Sequence, residues 1–270
     1  MTQAPIFQPM GPEHLDGALQ LSRAAGWPHR REDWELVLGI SQGVVALKQA
    51  LVMATALVTP FGNVGMVNMI IVDQRMRGCG FGRQIIGQAM ALIRPREWRL
   101  VATPSGLPLY EKLGFAACGP VQQHQGTAPD LPAPLGIRWA TDADIAAIAQ
   151  MDADALGADR RSLLDALAQP GRIALKPGKG YAAIRAFGLG EVIGPVIADD
   201  LATAQELIAF LFGGRAGSFI RIDTTEDCGL GPWLAQIGLR VVDRPVAMQT
   251  GTPAKPGTHT RFALAAQALG

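Results

Sequence analysis

Residues 72–86 read VDQRMRGCGFGRQII, and the fold turns on this stretch. Ahead of it, VNMIIVD (67–73) is a continuous apolar run of the kind that forms a strand buried on both faces. Behind it, Ile85, Ile86, Ala89, Met90 and Ile93 recur as one apolar helical stripe. Between them, glycines at 78, 80 and 82 remove Cβ atoms where the helix begins. Backbone N–H groups converge at such a junction and the helix dipole favours negative charge, so the segment is a generic anion site. The expected occupant is a phosphate or pyrophosphate; the alternative is a purely structural glycine turn. Two common phosphate loops are excluded. A G-x-G-x-x-G fingerprint from Gly78 and Gly80 would need glycine where Arg83 stands, and no Gly-Lys-Ser/Thr follows.

Working outward, the same grammar appears twice. IFQPMGPEHLDGALQLS near the start and IRWATDADIAAIAQMD (137–152) each read as a short strand, a turn and an amphipathic helix. GVVALK (43–48) is echoed by GRIALK (171–176), and VNMIIVD by VIGPVIAD (192–199). A helix follows each, the second with its stripe of Ala204, Leu207, Ile208, Leu211 and Phe212. Then come the strands WRLVAT (98–103) and SFIRIDT (218–224), and LPLYEKLGF (107–115) against GPWLAQIGL (231–239). Five segments thus recur in order at an offset drifting from about 130 to about 121 residues, as loop insertions and deletions produce. The chain reads as two copies of one α/β unit: a domain over 1–120, a Gly/Pro/Gln-rich linker over 121–136, and a second domain over 137–270.

Composition bounds the function. In 270 residues, 24 Lys+Arg stand against 23 Asp+Glu, a net charge of +1 that removes the electrostatic argument for nucleic acid or an anionic membrane. With 49% apolar and 17% charged residues the chain can fill a sizeable core. Residues 49–72 carry no charge, long enough in principle to span a bilayer, but Pro60, Gly62, Asn63 and Gly65 break the run into two buried strands about a turn. The start lacks a basic region followed by an apolar run, so no signal peptide is expected. Cys79, Cys118 and Cys228 form neither a disulfide framework nor a zinc ribbon, which makes a reducing, cytoplasmic compartment the default. His14, His29, His124 and His259 share no metal-ligand spacing, and no metal is inferred.

Arg77-Gly78-Cys79-Gly80-Phe81-Gly82, after a strand ending at Val72, fits Arg-x-x-Gly-x-Gly and closely resembles the acetyl-CoA signature of the GNAT acetyltransferase superfamily. ATPSGLPLYEKLGF (102–115) resembles that family's second element, a Tyr-bearing helix running into Leu-Gly-Phe. The resemblance covers residues 1 to about 118 well and persists over about 137–250 as a degenerate copy, as in tandem GNAT proteins.

The resemblance implies two tandem α/β (α+β) domains, each a mixed, mostly antiparallel sheet with a splayed parallel strand pair, flanked by helices. In the first domain the pair would be 66–72 and 98–103. Main-chain groups of Ile70, Ile71 and Val72 would pair with the pantetheine amides, and the amides of residues 78–83 would take the pyrophosphate. Arg77 and Arg83 would assist there or stand as solvated helix-start residues; Cys79 reads as a small loop residue. The implied chemistry is direct attack of an amine on the thioester of acetyl-CoA, with Tyr110 donating a proton to the departing thiolate. No base stands out. Glu32 and Asp33 lie where the family's substrate-facing loops fall, yet each reads equally as a surface carboxylate; Trp27 and Trp34 are either pocket wall or packing. The second copy has ATAQEL (202–207) opposite the glycine loop, Asp199 and Asp200 at its helix start, and Leu234 opposite Tyr110, so it is expected to bind no acetyl-CoA. The leading expectation is an acetyl-CoA-dependent N-acetyltransferase acting on a small-molecule or peptide amine. The alternative is a non-catalytic acyl-CoA-binding or regulatory protein. Nothing in the sequence names the acceptor or the oligomeric state.

Overall fold

The computed structural model describes residues 4–169, 172–253 and 257–270. Gly171, the first residue of the repeated segment 171–176, and residues 1–3 of the first domain lie outside the described residues. The first half runs β1 (Ile6–Pro9), α1 (Leu15–Ala24), α2 (Arg31–Gly39), β2 (Gln42–Lys48), β3 (Leu51–Phe61), β4 (Val64–Val72), α3 (Phe81–Met90), β5 (Glu97–Ala102), α4 (Leu107–Lys112) and β6 (Ala116–Thr127). The second runs β7 (Arg138–Trp139), α5 (Ile145–Leu156), α6 (Arg161–Leu167), β8 (Ile173–Lys176), β9 (Gly180–Phe187), β10 (Gly190–Ala198), α7 (Leu201–Phe212), β11 (Phe219–Thr225), α8 (Gly231–Gln236), β12 (Arg240–Asp243), β13 (Val246–Gly251) and β14 (Thr260–Ala263). Two copies of one unit is what the order of elements shows.

The uncharged run 49–72 is the β3–β4 hairpin, turning at Gly62 (φ +66°) and Asn63. Its strands read as unbroken apolar runs because both faces are covered. On one side α3 packs through Ile85, Ile86 and Ala89 against Ala54, Ala56 and Val58. On the other, Leu57, Met69 and Ile71 join a core shared with α1, α2, α5 and α6, where the two halves meet. A third core lies under α7 and α8 of the second half. No helix among the described residues is long and apolar enough to cross a membrane.

Residues 121–136 are not a linker throughout. β6 runs to Thr127, so only 128–136 connect the halves. Gly and Gln suggested a loop, but both are at home in this strand. A Cβ at Gly126 would lie 2.6 Å from the Gly238 carbonyl oxygen, so close main-chain approach needs glycine there. The start of β6 pairs with β13, and its remainder pairs with β11 on one edge and β12 on the other. β13, from the second half, lies between β5 and β6. The halves therefore exchange strands, and all fourteen strands among the described residues belong to one continuous sheet.

In each half two parallel strands start paired and then part. β4 and β5 pair only at Val64–Glu97, Gly65–Trp98 and Met66–Arg99. β10 and β11 pair only at Glu191–Ile220, Val192–Arg221 and Ile193–Ile222. Between β4 and β5 the gap stays open. Between β10 and β11 it is filled by β14: Val196, Ile197 and Ala198 pair antiparallel with Ala263, Arg261 and Thr260, and Leu264 N donates to Asp223 O at 2.8 Å. The following residues run on between the halves, where Arg160 Nη1 donates to Leu269 O at 3.2 Å.

Candidate active site

β4 bends at its open edge. Its register with β3 slips by one residue between Thr55–Ile71 and Leu57–Asn68, Met69 takes φ +49°, and Thr55 Oγ1 donates to Met69 O at 2.8 Å. This bulge turns the main chain of residues 68–70 into the gap. Ile70 lines the gap and is partly buried against the core under α3, whereas Ile71 is buried in the core shared by the two halves. Both Ile71 and Val72 still pair with β3 on the far edge, so the edge facing β5 is the free one.

At the end of β4 the chain enters the glycine loop. Arg77 is exposed and its Nε donates to Val72 O at 3.2 Å, tying the loop to the strand it leaves. Gly78 (φ +79°) and Gly80 (φ +76°) occupy the left-handed region, Gly80 as N-cap of α3. A Cβ built on either would meet nothing within 4 Å, so both face open space with bare main chain. Cys79 and Arg83 are exposed beside them. The ring of Phe81 is buried against Phe7, centroids 5.1 Å apart, and its N–H lies at the helix start. Gly82 lets α3 approach α4, since a Cβ there would lie 3.1 Å from Leu109 Cδ2.

The gap widens into a cavity of about 390 Å³ between the halves. From the first half come Asn68, Ile70, Val101, Thr103 and Tyr110, with Trp27 and His29 from the loop after α1. The ring of Tyr110 is 8% exposed and edge-on to Phe115, yet its hydroxyl bonds no described residue. Burial pushes its pKa up to about 12, so it stays a proton donor across the working range. Burial likewise lowers His29 to about 4, partly opposed by Asp33 and reinforced by Arg221 and Arg185. His29 is thus an uncharged ring, its Nδ1 buried without a partner.

Two expected substrate residues stand elsewhere. Trp34 is fully buried in the shared core, its Nε1 donating to Ser22 Oγ at 2.9 Å; it is packing, because α2 turns that face inward. Asp33 is also buried, accepting from Arg30 N and Nη2, from Gly188 N and, at 3.4 Å, from Arg185 Nη1. Burial alone would raise its carboxyl, but these bonds outweigh it and hold the group below the ordinary carboxylate range. It ties the halves together rather than facing the cavity. Trp27 alone of the three lines the cavity.

The rest of the lining went unread in the sequence. Gln123 and Gln125 on β6, Arg221 on β11, Asp243 on β12 and Gln267 after β14 form the opposite wall. A signal existed: RID at 221–223 and the Gln pair at 123 and 125 alternate with buried Ile220, Ile222 and His124, a period of two with polar groups on one face. In the second half the counterpart of the glycine loop is closed. Asp200 caps α7 by accepting from Thr203 N at 2.7 Å, Asp199 pairs with Lys179, and Leu234 is fully buried in the core under α8. Among the described residues no group of three or more His, Cys, Asp or Glu is arranged to hold a metal.

Comparison with known proteins agrees with this geometry. Residues 40–117 and 148–263 each match an acetyltransferase (GNAT) domain family. The chain is 30% identical to the uncharacterized N-acetyltransferase YitH of Bacillus subtilis, over 96% of both chains. A putative acetyltransferase from Pyrococcus horikoshii superposes with a TM-score of 0.86 at 17% identity, over 100% of this chain and 97% of that one. A tandem GNAT protein from the clavulanic acid biosynthesis pathway superposes at 0.62 with 15% identity, over 93% and 100%.

Proposed function

Since this chain belongs to the GNAT acetyltransferase family, with two such domains in tandem, we propose that acyl transfer takes place in the first half alone, from acetyl-CoA to a primary amine. The observation that carries this reading is the contrast between the two clefts. One is open, with a bare glycine loop at its end and a free hydroxyl inside; the other is filled by β14.

The residues of the first cleft fit acetyl-CoA. Gly78 and Gly80 present main chain with no Cβ, at the N-terminus of a ten-residue helix, where N–H groups and the dipole suit a pyrophosphate. The free edge of β4 at Ile70, Ile71 and Val72 offers main-chain groups to an amide-bearing arm. What acetyl-CoA supplies is an activated acyl carbon, whose C–S bond breaks as the amine nitrogen bonds to it. The bulged main chain at Met69 can donate to the carbonyl oxygen as charge builds there. The Tyr110 hydroxyl gives its proton to the departing sulfur, the proton lost by the amine passes to solvent, and solvent returns one to the Tyr110 oxygen, so that no proton is gained or lost overall.

Gly80→Val tests the cofactor half of this reading. Losing two charge-assisted hydrogen bonds, at roughly 1.5–3 kcal/mol each, weakens acetyl-CoA binding about a hundredfold or more. Gln205→Val in α7, the corresponding position of the second half, leaves it unchanged. Equal losses in calorimetry would place the nucleotide in both halves and overturn the assignment.

A further inference from the structure

The wall contributed by the second half carries more polar capacity than it uses. Cross-strand partners share a face, so Arg221 with Gln125 and Asp223 with Gln123 project together, and Asp243 comes alongside Gln123 from the other edge of β6. Arg221 gives Nε and Nη2 to Asp223 at 2.8–3.1 Å, and its Nη1 has no partner among the described residues. Gln123 accepts from Gln267 Nε2 at 3.0 Å, which leaves its own amide N–H groups unspent. Gln125 bonds no described side chain through its amide.

The charges behind this wall do not cancel. Arg221 and Arg185 both stand over the Phe187 ring, at 5.1 and 5.0 Å from its centroid. Arg185 Nε is buried without a partner. Against the guanidiniums of Arg30, Arg185 and Arg221 stand the carboxylates of Asp33 and Asp223. One positive charge is in excess at the inner end, where His29 is neutral. The remaining carboxylate, Asp243, is exposed at the rim, where it accepts from Arg244 N. The wall thus carries spare cationic and amide donors at Arg221, Gln123 and Gln125, with Asp243 and Arg240 as exposed charges of opposite sign along β12 at its edge.

Resting on the acyl-transfer reading above, we propose that the acceptor is a small zwitterion, an amine that carries its own carboxylate. The carboxylate docks on Arg221 Nη1, with Gln123 and Gln125 as flanking donors, and Asp243 draws in the ammonium end. The Asp223 pair holds the Arg221 fork in place, and Gln267 fixes the orientation of Gln123. Size agrees: about 390 Å³, part of it needed by the thioester arm, admits a molecule of amino-acid dimensions. A site built to bond a carboxylate rejects the analogue lacking it, because its donors are then left unpaired.

The test uses the full chain with acetyl-CoA and follows thiol release and acetylated product. The probes are the common L-amino acids and glycine, each against its carboxamide and its decarboxylated amine, with glucosamine and spermidine as neutral and polycationic comparisons. At least one amino acid is expected to exceed its carboxamide tenfold or more in kcat/KM. Arg221→Gln should bring that ratio to near one by raising KM for the acid, with kcat and the acetyl-CoA KM within twofold, and Arg221→Lys should restore part of it. Because Arg221→Gln strands Asp223, the double variant Arg221→Gln/Asp223→Asn is run beside it and should show the same loss. Carboxamides turned over as well as acids, a ratio that survives Arg221→Gln, or turnover confined to glucosamine or spermidine each overturn the inference while leaving acyl transfer standing. Absence of thiol release with every probe, despite calorimetric binding of acetyl-CoA, overturns both.

Discussion

Replacing Tyr110 with Phe deletes one oxygen and keeps the ring. The ring is held by Phe115 edge-on at 6.2 Å and by the main chain at Gly106, where a Cβ would come within 2.8 Å of Cε2. Phenylalanine fills that slot equally well. Because the hydroxyl bonds no described residue, its removal strands no partner, and stability should move by no more than about 0.5 kcal/mol. The rate should respond differently. A positioned general acid contributes typically 10²–10⁴-fold, and a thiol with a pKa near 8.5 leaves tolerably even unprotonated. The low end therefore applies: kcat falls about 10²-fold, equivalent to about 2.7 kcal/mol of barrier. Acetyl-CoA affinity should stay near wild type. Thiol release under single-turnover conditions measures the first quantity and calorimetry the second. The pH profile gives an independent reading. With the phenol raised to about 12 by burial, the wild-type rate should show no loss from tyrosine ionisation up to pH 10. An unchanged single-turnover rate in Tyr110→Phe would remove the hydroxyl from the chemistry.

Other perturbations follow from the same structure. Calorimetry should find one acetyl-CoA per chain, since β14 holds the second cleft; two equivalent sites would mean that the strand yields. Asp33→Asn should destabilise the fold by about 3–5 kcal/mol in denaturant unfolding, because it leaves Arg185 and Arg30 without their shared carboxylate between the halves. A loss below about 1 kcal/mol would show that the tie is dispensable. His29 binds its proton at about pH 4 when folded and near 6.5 when unfolded, so the unfolded state takes up the proton first as pH falls. Stability should drop between pH 6.5 and 4, by up to about 3 kcal/mol, and His29→Gln should flatten that part of the profile.

What the sequence disclosed was local. The strand–glycine loop–helix at 67–90 and the Tyr-bearing helix at 107–112 are runs whose periodicity and turn chemistry lie within a few residues of one another. The repeat was legible because its segments keep their order. Strand exchange was not, because nothing near 246–251 says that its neighbours will be residues 97–102 and 116–120. β14 escaped for the same reason: four residues beyond a Gly/Pro-rich stretch carry little pattern of their own and gain their place from the gap that receives them. Asp33 and Trp34 show a further limit. Sequence placed them near the substrate side, but a helix face, visible only once α2 is packed, decides that both turn inward.

The exchange of strands also bears on how this protein can be taken apart. Severing the chain within 128–136 would not liberate a working catalytic fragment, since the first half would lose β13 and leave β5 with a bare edge ready to pair with a stranger. Expression of residues 1–127 alone should therefore yield aggregates, while two co-expressed pieces should reassemble as a nicked whole. In a lineage this works as a ratchet. Once two duplicated halves have traded strands, neither can be discarded without unmaking the other's sheet, and each is held in place by what the other's edge requires.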